Sequence, residues 1–298
     1  MDILGLLINV LEEGFIYGIM AVGVYITYSI LDFPDLSVDG TFPLGACVTA
    51  ALITVGCNPF LACLIAFVCG AAAGCVTGFL HVKLKIRDLL SGILVMTAMW
   101  SVNLIILQGA SVLPFYDKPT IFTSGPAALL PEGLYAHRVV LIAFICVLVV
   151  KLLVDWYLKT KNGMLLIAVG DNSQFVTSLA KSQGKMKVLG LAMGNGCTAL
   201  AGSVLAQQAE SANITCGTGM VVMALASVII GITIFHHIPF MKFTTMAVLG
   251  ACTYKLCLSV AMQLGLPTEY LKILMVVIFV LALLVNNFVG KGGTADVR

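Results

Sequence analysis

Three aspartates, Asp32, Asp35 and Asp39, are crowded into the stretch LDFPDLSVDGTFPLGA, residues 31–46. Carboxylates in that density can accept hydrogen bonds from an ammonium group, hold a cation or pass a proton. They lie between apolar runs at 14–30 and 47–55 that carry no Lys or Arg. The same stretch contains Pro34, Pro43, Gly40 and Gly45, so a continuous helix through it is not expected. Broken backbone at membrane depth persists only where protein buries it or where it lines a wet cavity. The stretch therefore reads as the lining of a pathway, with Asp35, Ser37, Asp39 and Thr41 as its polar residues. The competing reading is a plain loop between two spans.

A second polar break, 209–219, brings Glu210 and Asn213 into an otherwise apolar half of the chain. Lys255 lies near the middle of the run 243–264, where an uncompensated lysine costs about 2.5–3.5 kcal/mol. It calls for a partner, with Glu210 or an early aspartate as candidates, or for snorkelling to the interface. Trp100 and Asn103 share one face of a helical run, and Gln207 with Gln208 closes another. Such groups glue helices together or line a pathway. Lys151 and Asp155 are four apart, the spacing of a local ion pair.

Chemistry beyond binding finds no support. There is no G-x-x-x-x-G-K-[ST]; Gly290-Lys291-Gly292 lacks the upstream Gly and the hydroxyl residue, and Gly194-Asn-Gly196 falls inside an apolar run. There is no H-E-x-x-H, and His236 and His237 are sequence neighbours that point in different directions. The ten cysteines contain no C-x-x-C pair. Cys57, Cys63, Cys69 and Cys75 recur every six residues, which on a helix steps by about 240° and scatters them around the axis. No metal, no catalytic residue and no enzyme activity is assigned.

The elements that must position these residues are membrane spans. The chain is 60% hydrophobic and 10% charged with a mean hydropathy of +1.07, against about 25% charged residues in a soluble domain. A net charge of +2 gives no case for nucleic acid. Apolar runs near span length occur at 14–30, 41–56, 59–80, 89–107, 139–158, 188–208, 220–235, 243–264 and 271–289. The expectation is an all-α polytopic bundle in one domain, 1–298, with about nine spans (eight to ten) and interrupted helices. The opening MDILGLLINVLEE lacks a basic n-region and reads as a short interfacial helix, not a secretory signal. Gly70, Gly74 and Gly78, and Gly14 with Gly18, have the G-x-x-x-G spacing of a close helix crossing, within the chain or at a subunit contact.

Basic residues mark the cytoplasmic side. Lys83, Lys85 and Arg87 form one basic loop, 159–187 is another with five lysines, and the tail adds Lys291 and Arg298. The connection 108–136, with Asp117, Glu132 and one lysine, faces outward. Alternating spans then put the C-terminus inside and the N-terminus outside, unless 31–56 is re-entrant. Four spans on each side of 139–158 would run in opposite senses, each set with one polar break, as in an inverted repeat around a transport site. In the loop 159–187, Asp171 or Asn172 suits the N-cap of a helix through Lys181, with Gly184 as its stop. Phe175, Val176 and Leu179 would form an apolar knob on it, fit for a groove on a partner or for the membrane surface.

With these motifs in place, the chain resembles the bacterial ABC-importer permeases of the branched-chain amino acid and ribose type, within them the subgroup linked to tryptophan and tyrosine uptake. The resemblance runs from Gly14 to about Leu284 and rests on the motif 35–46, on Gly92-Ile-Leu-Val-Met-Thr97 with Ser101-Val-Asn103, and on Gly170-Asp-Asn172. It continues in Tyr254-Lys255 and in 264–272. It implies a permease in the bacterial cytoplasmic membrane, paired with a second copy as a homodimer and surrounded by lipid. Two ATPase subunits would carry ATP and Mg, and a binding lipoprotein would deliver an amino acid from outside, so this chain itself would hold no cofactor. The family's ATPase-contacting loop maps onto 170–187, with Gly170, Asp171, Asn172, Phe175, Val176, Leu179 and Lys181. The subgroup often has Arg where this chain has Lys255, which keeps the charge and loses the planar fork. The rival class is an ion-coupled secondary carrier that uses Asp39, Glu210 and Lys255 as a relay.

Overall fold

The computed structural model describes residues 3–125, 137–171, 182–238, 240–265, 267 and 270–293. Helix α1, Ile3–Val24, continues without a stop into a π-helical segment, Tyr25–Ile30. The N–H of Leu31 reaches back five residues to the Ile26 carbonyl, and the Thr27 hydroxyl bonds the Val24 carbonyl. Glu12 and Glu13 lie within α1, so the opening residues enter the first span as one continuous helix. The chain leaves helical geometry at 31–37, with Asp32 at φ 50°, and α2 spans Val38–Thr54. The break is therefore real but shorter than the sequence suggested, because α2 runs straight through Gly40, Pro43 and Gly45. Proline removes one backbone hydrogen bond to the carbonyl four residues back. Here that carbonyl belongs to Asp39, and the backbone of Gly217 packs against it.

Helix α3 (Pro59–Val82) opens with Asn58 as N-cap, its side chain accepting from the Phe60 N–H at 2.9 Å, and with proline at the first position. It is followed by α4 (Asp88–Ile106), strand β1 (Val112–Pro114) and α5 (Arg138–Leu158). The loop 159–187 contains a helix the sequence did not suggest, α6 (Lys161–Asp171), so Asp171 belongs to that helix and is not the N-cap of a new one. Then come α7 (Gln183–Gln208), strand β2 (Ser211–Asn213), a 3₁₀ turn (Ile214–Gly217), α8 (Met220–Phe235), α9 (Phe243–Gln263) and α10 (Leu271–Gly293). Among the described residues, seven segments are long and apolar enough to cross a bilayer, and α2 and the stretch Leu271–Leu284 are shorter apolar helices.

Helix α7 is the central post. It runs parallel to α2: Thr41 lies beside Asn195, Gly45 beside Ala199 and Thr49 beside Ser203. It runs antiparallel to α3, with Gly78 on Val188, Gly74 on Leu191 and Gly70 on Asn195. A Cβ on Gly70 or Gly74 would collide with α7, so the G-x-x-x-G face of α3 is an internal crossing. Gly14 and Gly18 do the same for α1, against Cys252 and Val248 of α9. The halves therefore repeat with the chain direction reversed: α3 packs on α7 as α9 packs on α1, and α2 packs on α4 as α8 packs on α10. Ile16, Met20, Phe42 and Tyr254 are among the fully buried side chains at the centre.

One end of the bundle collects the loops with Lys83, Lys85, Arg87, Lys159, Lys161 and Lys242, and the start of α7 with Lys185 and Lys187. At this end the Asp155 carboxylate pairs with Lys151 at 3.4 Å and Lys242 at 2.9 Å, and accepts from the Thr244 hydroxyl at 2.6 Å. That ties α5 to the start of α9 and extends the expected local pair. At the other end β1 and β2 form a two-stranded antiparallel ribbon, Val112 opposite Asn213 and Pro114 opposite Ser211. The ribbon joins the loop after α4 to the hairpin after α7.

Candidate functional site

Two helices begin deep in the bundle and point away from each other. Helix α2 starts level with Asn195, mid-way along α7. The hairpin 209–219 folds back along α2 until Gly217 rests on Asp39 and Pro43, and α8 starts just beyond Gly219, whose φ is 89°. A positive φ of that size favours glycine, which has no Cβ to clash. Each of these N-termini presents unpaired N–H groups and the positive end of a helix dipole.

The chain supplies a carboxylate to each. Asp35 accepts from the backbone N–H of Ser37 at 2.9 Å and from its hydroxyl at 2.6 Å, just ahead of the first turn of α2. Asp39 reaches across to α8: one oxygen accepts from Val221 N–H at 2.7 Å, the other from Gly219 N–H at 3.1 Å. Asp39 is thus a bond between the two halves. Helix α2 begins at Val38, two residues before Gly40, with Asp35 bonded to its N-cap residue Ser37.

Asn195 completes the inner layer. Its Nδ2 donates to Asp35 at 2.6 Å and to the Leu191 carbonyl at 3.1 Å, and its Oδ1 accepts from Thr41 at 2.8 Å and Ser37 at 3.0 Å. Asp35, Ser37, Thr41 and Asn195 are all buried. Three of the four were expected at the site. Asn195 was missed, although an amide in an apolar run of small residues, flanked by Gly194 and Gly196, is itself a signal of close polar contact with a neighbouring helix.

Next to Asp39 opens a cavity of about 420 Å³, walled by Asp39, Gly40, Trp100, Asn103, Thr218 and neighbouring side chains of α2 and α4. Asn103 is fully buried and donates from Nδ2 to the Gly40 carbonyl at 3.2 Å, while its Oδ1 has no partner. Trp100, one turn away, is 47% exposed and offers an aromatic wall. The walls named here combine a carboxylate, an amide, a hydroxyl and an indole without a cationic side chain. Such a surface suits transient contact with a small solute carrying an ammonium or a ring.

The other expected pathway residues lie elsewhere. Gln207 is buried, accepts from Ile121 N–H at 2.9 Å and donates to Cys63 Sγ at 3.1 Å, so it braces the loop before α5. Glu210 sits at φ 49° in the hairpin turn, and its carbonyl accepts from Phe115 N–H. Asn213 caps the 3₁₀ turn by accepting from Thr215 N–H at 2.9 Å. Lys255 pairs with Glu13 of α1, not with Glu210 or an early aspartate, and its ammonium lies 5.8 Å from the centre of the Tyr17 ring. The geometry therefore does not join Asp39, Glu210 and Lys255 into a relay. Removing one partner of a half-buried pair strands the other charge, whereas removing both does not. Glu13→Ala should lower the melting temperature by several degrees and Glu13→Gln/Lys255→Met should recover most of it, as read by thermal unfolding in detergent; a neutral Glu13→Ala would refute the pairing.

Of the expected coupling residues, Gly170 and Asp171 close α6, and Gly170 packs directly on the Ile30 carbonyl at the end of the π-helical segment. Asn172, Phe175, Val176, Leu179 and Lys181 lie outside the described residues.

Comparison with known proteins agrees with this architecture. Residues 6–283 match the family described as branched-chain amino acid transport system / permease component. The tyrosine transport system permease protein of Clostridioides difficile is 42% identical over 281 residues, covering 94% of this chain and 91% of that protein. The ribose import permease protein of Escherichia coli is 26% identical over 290 residues, covering 94% and 85%. Among solved structures, PsaBC from Streptococcus pneumoniae in complex with Fab is similar in fold, with a TM-score of 0.51 at 10% identity over 92% of this chain and 89% of that one.

Proposed function

The chain belongs to the family of branched-chain amino acid transport system permease components, and from that premise we propose that it carries an amino acid, an aromatic one by preference, past Asp39 into the cytoplasm. It is a transport subunit and not an enzyme; in such systems ATP is hydrolysed on a separate subunit. The observation that carries the pathway is the meeting of two half-bundle helix starts at Asp39, beside a cavity with an unpaired Asn103 oxygen and an indole wall. Interrupted helices in corresponding positions of two inverted halves are where carriers place their substrates. Tyrosine, which the Clostridioides difficile relative is named for, brings an ammonium for Asp39 and a ring for Trp100.

In this reading the basic end faces the cytoplasm, so the tail and Lys291 are inside, and the β-ribbon end faces outward toward a binding lipoprotein. Two copies form a homodimer in the bacterial cytoplasmic membrane, and two ATPase subunits dock at 170–187. Their movement passes through α6 and Gly170 to the π-helical segment, and from there to the break at 31–37 under α2. Access alternates as Asp39 releases and recaptures the start of α8.

Proteoliposomes holding the permease with its ATPase and binding protein should accumulate labelled tyrosine only with ATP inside the ATPase compartment. Trp100→Ala should cut that uptake by about tenfold, the loss of one aromatic contact worth up to about 1.5 kcal/mol. Accumulation by the permease alone, driven by a proton or sodium gradient, would overturn the reading in favour of a secondary carrier.

A further inference from the structure

At the basic end, α3 and α7 flank a groove of about 600 Å³ on the outer face of the bundle. Its floor is apolar, formed by Val76, Phe79 and Val82 of α3 and by Val188, Leu189 and Ala192 of α7. Lys83 and Lys185 stand at its mouth, one from each helix, and both are exposed. Among the described residues neither forms an ion pair. A third ammonium stands close by, as Lys187 donates to His81 Nε2 at 3.4 Å while Nδ1 donates to the Ile86 carbonyl at 3.0 Å.

We propose that this groove is a selective site for an anionic phospholipid, one acyl chain along Val76, Phe79 and Leu189 and the phosphate between Lys83 and Lys185. The groove lies along two helices long and apolar enough to cross the bilayer, so hydrocarbon meets its floor. From Cys75 to Lys83 is eight residues of helix, about 12 Å of rise, which sets the lysines at headgroup level above a chain-length trough. Two cations from opposite walls, neither in an ion pair among the described residues, complement a phosphate and disfavour a zwitterionic headgroup. Basic pockets between transmembrane helices at this level bind acidic lipids. Gly184 lets α7 pack closely on α3 beside the mouth, where a Cβ would collide with Val82.

The test uses the full permease in nanodiscs of mixed phosphatidylglycerol and phosphatidylcholine, with retained lipid read by native mass spectrometry. Each lysine contributes about a fivefold preference for the acidic lipid, so Lys83→Gln/Lys185→Gln should lower the retained ratio by about twenty-fivefold. Lys118→Gln, at the opposite end, should leave it unchanged. Exposed Cys75, inside the groove, gives an independent readout. Its alkylation, followed by peptide mapping, should be slower in phosphatidylglycerol than in phosphatidylcholine discs, and the double variant should lose that difference. An unchanged lipid ratio in the double variant overturns the proposal. So does a Cys75–Cys75 crosslink under mild oxidation, which would make the occupant a second copy of the chain.

Discussion

Asp39→Ala is expected to reduce ATP-driven uptake at least a hundredfold while the protein still inserts and purifies. The carboxylate accepts from Gly219 and Val221 N–H, two charge-assisted bonds to the positive end of α8. Hydrogen bonds to a charged group contribute about 1.5–3 kcal/mol each, so their combined loss is at least about 3 kcal/mol, two orders of magnitude in an equilibrium. Alanine also leaves two N–H groups without their acceptor. The damage falls on the connection between halves, because no other side chain in the described residues replaces Asp39 at those N–H groups. Asp39→Asn should recover little, since its amide presents one acceptor and turns a donor toward the second N–H. Uptake in proteoliposomes together with the melting temperature decides it. Wild-type transport by Asp39→Ala would show that the contact plays no part in the cycle.

Asn195→Leu is expected to have the largest effect on folding. It removes two acceptor contacts and leaves the Asp35 carboxylate facing an alkyl group, with only Ser37 still bonded to it. A hydrogen bond to a charged group is worth about 1.5–3 kcal/mol, and each buried polar partner left unsatisfied adds about 1–3 kcal/mol. Together these are a large fraction of the 5–15 kcal/mol by which a folded protein is stable. The expected outcome is loss of monodisperse protein on size-exclusion chromatography. The exchange Asp35→Asn/Asn195→Asp returns one carboxylate and one amide to the same pocket and should restore a folded peak, whereas Asn195→Asp alone sets two carboxylates against each other and should not. Equal behaviour of the single and exchanged variants would rule out the direct contact.

The pathway was legible in residue types, less so in connections. Pro34, Asp35, Asp39 and Gly40 announced a break, since no apolar span tolerates that set without a reason. Where the break ended was not legible: Pro43 argues against helix, yet α2 accommodates it because Gly217 of a distant hairpin covers the freed carbonyl. The spacing of Gly70, Gly74 and Gly78 announced a close crossing, and only packing identified α7 as its partner. Trp100 and Asn103 share a face by helical periodicity alone, and the structure puts both on one cavity. Lys255 needed a counter-charge, and sequence distance gave no reason to choose Glu13 over Glu210. Pairing between α1 and α9 is set by the reversed repeat, a long-range relation that composition does not encode.

The small ribbon of β1 and β2 has a mechanical meaning. By stitching the loop after α4 to the hairpin after α7, it makes the far end of the bundle a fulcrum. Any swing of one half against the other must then be largest at the lysine-rich end, as the blades of scissors travel farthest from their rivet. Over a hydrocarbon thickness of about 30 Å, a tilt of roughly 5° displaces that end by about 2.5 Å. At Asp39, about half-way along, the same tilt moves atoms by about 1.3 Å, which would stretch the 2.7 Å bond to Val221 beyond hydrogen-bonding reach.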